Sequence, residues 1–271
     1  MFDFLEYTFN QRALLAISVI GFSNGALGTL VVLRKHALVI SALAHTLLPG
    51  IALAILIFGG LNPLVGFVGA LVGALVVGLS TVLVARVGLL DDQTALTVLY
   101  TTSFAGGILM LDRIQTYVSL DSWLFGNILS LRDSDLWISC AVGFLVLVVL
   151  ARFRRSWILF LFEPSIAASM GVPVSKMRYL LTGLMVLGLV TSLQAVGAVL
   201  SAALFIIPTA TMLQWVRSPR ALLWGSGALG AGAGMMSVAL SNWLDLRTGA
   251  TLILLLGTGF LFSILLRMGR G

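Results

Sequence analysis

The chain has 271 residues, 59% of them hydrophobic and only 10% charged, and a mean hydropathy of +1.10. Soluble domains carry about 25% charged residues, so the class is a polytopic membrane protein and no soluble domain of useful size fits. The formal net charge of +6 would point to nucleic acid only if the basic residues clustered on a polar face, and they sit instead at helix ends.

The N-terminus, MFDFLEYTFNQR, contains Asp3 and Glu6 and lacks the basic, apolar and small-residue succession of a cleavable signal. The first hydrophobic segment is therefore expected to stay as a helix. At about 20 apolar residues per span, the apolar runs give nine segments: 13–33, 38–58, 63–85, 94–111, 136–151, 177–193, 195–216, 221–243 and 249–266. Eight or ten spans also fit. The fold class is thus all-α, a transmembrane helix bundle, with residues 1–271 forming one domain.

The second segment holds His45, in SALAHTLLPG, close to mid-membrane, with Ser41 one turn away on the same face. A histidine there is either a packing residue or a ligand, since neutral imidazole is the commonest transition-metal ligand. Pro49 and Gly50 follow and can open the backbone. In the third segment Gly66, Gly69, Gly73 and Gly78 predict close helix approach. The fourth carries Tyr100, Thr101, Thr102 and Ser103 in succession. Such hydroxyls either bond back to their own helix or line a polar track.

The connection 112–135 has an apolar centre, SWLFGNIL, too short to span. Cys140, the single cysteine, lies in the fifth segment, so neither a disulfide nor a thiolate cluster forms within one chain. The longest loop, 152–178, contains FEPSIAASMG at 162–171. Pro164 suits the first turn of a short helix and Gly171 its stop. The span after Gln194 carries Ser201, Thr209 and Thr211, and is interrupted by Gly197 and Pro208, which favour a short or re-entrant piece. The eighth segment is again glycine-rich, at 225, 227, 230, 232 and 234.

Lysine and arginine accumulate in cytoplasmic loops. Placing the N-terminus outside and the C-terminus in the cytoplasm puts all of the sixteen basic residues inside except Arg12, Arg113, Arg132 and Arg247. The 152–178 loop is then cytoplasmic. The P-loop needs a lysine after a glycine, and the only lysines, Lys35 and Lys176, follow Arg34 and Ser175. Active transport by this chain would draw on an ion gradient or on another subunit.

Six stretches taken together, LGTLVVLRKHALVISALAHTLLPGIALA (27–54), DDQTALTVLYTTSFAGGILML (91–111), DSWLFGNIL (121–129), FEPSIAASMGVPV (162–174), LQAVGAVLSAALFIIPTATM (193–212) and LDLRTGATLIL (244–254), resemble the membrane permeases of ABC importers for zinc, manganese and iron. The resemblance covers nearly the whole chain. It implies a multi-pass protein of the bacterial cytoplasmic (inner) membrane, not itself an enzyme. Its partners would be a second permease, a pair of cytoplasmic ATPases that bind the ATP, and a periplasmic or lipid-anchored metal-binding protein; no nucleic acid is involved. No cofactor is held stably, and the cargo is a divalent metal ion, zinc first and manganese or iron next.

The resemblance also makes FEPSIAASMG a coupling helix, with Glu163, Pro164, Ala167 and Gly171 at the ATPase. His45 falls on the pathway helix as a transient metal ligand, with Ser41, Thr102, Ser103 and Gln194 as further pathway residues. One departure stands out: the family commonly has Asp four residues before this histidine, and here Ser41 takes its place, giving a weaker, uncharged pair. The rival reading is a gradient-driven secondary carrier, which commonly shows internal repeats and intramembrane carboxylates. No convincing repeat is present, and all ten acids fall in loops or at span ends.

Overall fold

The computed structural model describes residues 8–59, 63–113, 128, 132–162 and 164–269. Asp3, Glu6, the stretch around Trp123 and Glu163 lie outside the described residues, as does the side chain of Gln194. All regular structure among the described residues is helical. In hydrocarbon a backbone must satisfy its own hydrogen bonds, and a helix does so within one segment.

The helices are α1 (Thr8–Leu33), α2 (Ala37–His45), α3 (Leu47–Phe58), α4 (Pro63–Val87), α5 (Asp92–Leu111), α6 (Asp133–Arg152), α7 (Arg154–Phe162), α8 (Pro164–Ser169), α9 (Val174–Val196), α10 (Ala198–Met212), α11 (Pro219–Leu244) and α12 (Thr248–Met268). Among the described residues, eight stretches are long and apolar enough to cross a membrane, with α2 and α3 together making one of them. Of the nine expected segments, the seventh falls short. Gly197, at φ 93° and ψ 161°, separates α9 from α10, and the 15 residues of α10 reach only about 22 Å of a hydrocarbon core of about 30 Å.

Local chemistry sets the ends. Lys35 turns the chain at φ 57°, with its N–H on the Val32 carbonyl at 3.0 Å and that of His36 on Val31 at 2.8 Å. The Asp91 carboxylate caps α5 by accepting from the Thr94 amide at 2.9 Å and the Thr94 hydroxyl at 2.6 Å. These bonds hold its carboxyl below the usual carboxylate range.

Helix α1 is the centre of the bundle and packs on α6, α9, α10 and α11. Its glycines set the contact: a Cβ on Gly21 would stand 2.6 Å from the Gly230 carbonyl oxygen, and one on Gly28 would overlap the Phe205 carbonyl oxygen. On α4, a Cβ at Gly69 would lie 2.5 Å from that of Ala54 on α3. At Gly21, Gly28 and Gly69 the glycines thus serve close helix packing within one chain. Asn24, fully buried in α1, adds a polar tie by donating to the Ser192 hydroxyl at 3.0 Å and the Gly188 carbonyl at 3.3 Å on α9.

Because backbone atoms cannot rotate away, Gly28→Val should lower stability by at least about 1–3 kcal/mol. Gly232→Val, where nothing lies within 4 Å of the new Cβ, should change it little. Thermal unfolding of both variants in detergent checks this; equal losses would mean that the α1 crossing is not the tight point.

Candidate functional site

The second span is two helices sharing one residue. His45 ends α2, Thr46 breaks the ladder, and α3 resumes at Leu47. Pro49, in the first turn of α3, has no N–H for the His45 carbonyl. Thr46 closes the break instead, sending its N–H and its hydroxyl to the Leu43 carbonyl at 3.0 and 2.7 Å. Gly50, expected to help open the backbone, packs against Gly69 and Gly73.

The His45 side chain lies exposed on the bundle surface. Its ring stacks on Tyr100 of α5, centroids 6.3 Å apart at 27°, and meets Phe104 edge-on at 5.8 Å. Ser41 is half-buried one turn earlier. Thr102 is exposed on the same stretch of α5, and its hydroxyl donates to the Val98 carbonyl at 2.8 Å. Ser103 donates to the Leu99 carbonyl at 2.6 Å and points into a different place, an apolar cleft of about 610 Å³ between α3, α4 and α5. Ser201 and Thr211 likewise bond within their own helix, whereas Thr209 donates to the Gly25 carbonyl of α1 at 3.3 Å. The structure thus brings His45, Ser41 and the start of the α5 hydroxyl run to one neighbourhood and sends Ser103 elsewhere.

The long loop 152–178 is mostly helical. Helix α7 was hidden in the sequence by Arg154 and Arg155, yet Trp157 and Phe160 of WILFLF are buried in the core, 6.2 Å apart edge to face. Helix α8 starts at Pro164, and after it Gly171 takes φ +80°, both as the residue types require. Ala167 is fully buried, and its carbonyl accepts from Val172 at 2.9 Å. Ile166, Ala168 and Ser169 are exposed on α8, continuing to Met170, with Ile166 and Met170 54% and 63% exposed.

At the same end of the bundle lies a charge cluster that the reading of the sequence did not assemble. Asp92 Oδ1 faces Arg178 at 3.5 Å, and its Oδ2 lies 3.9 Å from His36 Nε2. Arg34 donates to the Phe160 carbonyl at 3.2 Å with its guanidinium 4.3 Å over the Phe160 ring. Burial, with Arg178 nearby, lowers the Arg34 pKa against the pull of Asp92. Burial also lowers that of His36; Asp92 works the other way, and Arg34 and Arg178 add to the lowering. Residues 36, 92 and 178 are far apart in sequence, and only the fold joins them.

His36 binds its proton less tightly folded than unfolded. It therefore supports the fold above its unfolded pKa of about 6.5, and that support is lost as pH falls through the lower folded value. Thermal unfolding midpoints should fall as the pH drops below about 6.5, and His36→Gln should flatten the fall. An unchanged slope in the variant would assign the drop to other groups.

Residues 6–267 match the ABC 3 transport family. The manganese import system permease protein ScaB of Streptococcus gordonii is 33% identical over 258 residues, covering 95% of this chain and 91% of that protein. A probable iron transport system membrane protein of Haemophilus influenzae is 30% identical and covers 97% of each. Among solved structures, a chain of PsaBC from Streptococcus pneumoniae in complex with Fab superposes with a TM-score of 0.83 at 30% identity, covering 96% of this chain and 92% of its own. The chain belongs to the ABC 3 transport family, as one of its multi-pass permeases in the bacterial inner membrane.

Proposed function

We propose that this permease is one half of a homodimer that passes a divalent transition-metal ion inward, driven by a partner ATPase dimer and supplied by an outer metal-binding protein. The observation that carries the reading is His45: an imidazole, open to the surface, at the break in a membrane span. An imidazole facing hydrocarbon is costly. A second copy packed over α2 and α5 would cover that face and enclose a pathway between the two.

Manganese is the proposed cargo, with iron next, because the relatives above carry those metals in their names. Zinc, first in the reading of the sequence, drops behind on that ground. His45 touches the ion transiently, with Ser41 supplying a neutral oxygen. Helix α8 seats in the ATPase through Ile166, Ser169 and Met170, while Ala167 anchors α8 to its own chain. Bulk at Ala167 would therefore act through folding, and Glu163 lies outside the described residues. Chemistry on ATP belongs to the partner; this chain is a conduit.

Uptake of radioactive manganese into proteoliposomes holding permease, ATPase and binding protein tests the site. His45→Ala should cut uptake at least about tenfold, the lower end of what even an outer partner is worth at a metal site. Ser41→Asp should slow release. Wild-type rates in His45→Ala would reduce His45 to a packing residue. For the ATPase contact, Ile166→Glu should leave folding intact and abolish metal-dependent ATP hydrolysis; normal coupling would make α8 a mere connector. In a Cys140→Ser background, Thr101→Cys should give disulfide-linked dimers, and their absence would move the interface to another face.

A further inference from the structure

We propose that Asp92 is a positioning residue for transport, the shared anchor that fixes the spacing of the pathway helices and ties them to the segment leading from α8. The proposal rests on the transport reading above and adds a role for a charge cluster that lies at the end of the bundle away from His45.

The placement of the three partners carries it. His36 immediately precedes α2, the helix that ends in His45. Asp92 opens α5, the helix that presents Tyr100 and Phe104 to the His45 ring. Arg178 lies in the first turns of α9, which begins at Val174, five residues after α8 ends. One carboxylate therefore joins the bases of both helices that make the His45 environment to the helix that follows α8.

The reach is short and stiff. Helix α2 has nine residues, about 13 Å at 1.5 Å each, so a tilt at its base is delivered at His45 without an intervening hinge. Apolar packing of Leu43, Leu96 and Leu181 meets the charged groups here. His36, Asp92 and Arg178 border a cavity of about 20 Å³ between α2, α4, α5 and α9. Between Asp92 and Arg178 the link is charge, partly shielded from water, where attraction is stronger than at an open surface, and the His36 ring stands beside the same carboxylate at 3.9 Å. The cluster has two guanidinium groups, on Arg34 and Arg178, for one carboxylate. Arg34 is engaged by Phe160 of α7, which leaves Asp92 for Arg178 and His36. A second tie runs beside it, as the Gln93 side chain donates to the Lys35 carbonyl at 3.1 Å.

The test is the ratio of manganese taken up to ATP hydrolysed in proteoliposomes containing the full complex. Asp92→Asn keeps the shape and removes the charge. It should lower the ratio at least tenfold while ATP hydrolysis and the thermal midpoint stay within twofold and a few degrees of wild type. Exchanging the charges, Asp92→Arg with Arg178→Asp, should restore the ratio to within threefold of wild type. A wild-type ratio in Asp92→Asn overturns the proposal, as does a loss of uptake, hydrolysis and thermal stability in parallel that the exchange does not repair. If Asp92→Asn does not assemble, Arg178→Gln reads the same contact from the other partner, and a wild-type ratio there overturns it equally. Wild-type complex that hydrolyses ATP and moves no manganese would instead overturn the transport reading, and this inference with it.

Discussion

Lipid tails are as apolar as leucine, so helices in a membrane gain little by hiding hydrophobic surface from one another and associate through close packing. Here that packing is backbone on backbone. Gly21, Gly25 and Gly28 let α1 touch the main chain of α10 and α11 directly, and α1 is the most buried of the spans, 72% along its apolar window. Helix α5 is the opposite case, only 17% buried. A rigid centre and a loosely held edge follow from where the glycines fall. The edge is where His45, Tyr100 and Phe104 meet, so the candidate site lies on the part of the molecule with the least packing of its own.

That position gives meaning to the break at Thr46. An uninterrupted span would have hidden its carbonyls and left His45 as one more side chain on a rod. Pro49 removes one backbone donor, Thr46 repairs the end of α2 with its hydroxyl, and His45 becomes the last residue of a short helix. Short helices move as units. The two ends of α2, His36 at the charge cluster and His45 at the surface, are therefore held in a fixed relation.

The spans were legible in the sequence because a run of about 20 apolar residues has few alternatives in a chain this greasy. The short α10 was legible too, from Gly197 and Pro208. Helix α7 was not: two arginines mask its apolar face in any averaged window, and only burial of Trp157 and Phe160 reveals it. Ala167 shows a second kind of limit. A small residue in an exposed helix reads equally well as a contact point for a partner or as the spot where the helix lies down on its own chain, and composition does not separate the two. Hydroxyls were legible only as a group, because whether Thr209 bonds its own helix or α1 depends on rotation about an axis that hydropathy does not fix. The charge cluster was illegible for the same reason at longer range, since Arg178 was visible as a topological charge and Asp92 as a helix start.

The substitution at position 41 bears on how a metal would be chosen. Carboxylates suit manganese, whereas imidazole suits iron and zinc, and affinity at a given nitrogen site rises from manganese through iron and onward. A pathway built from His45 with Ser41, and without an acid, would hold manganese weakly and later metals more tightly. Selection for manganese therefore could not reside at this point of the permease. It would have to be made earlier, by the protein that delivers the ion. A conduit with a weak, neutral grip suits that division of labour, because whatever is handed to it must also be let go.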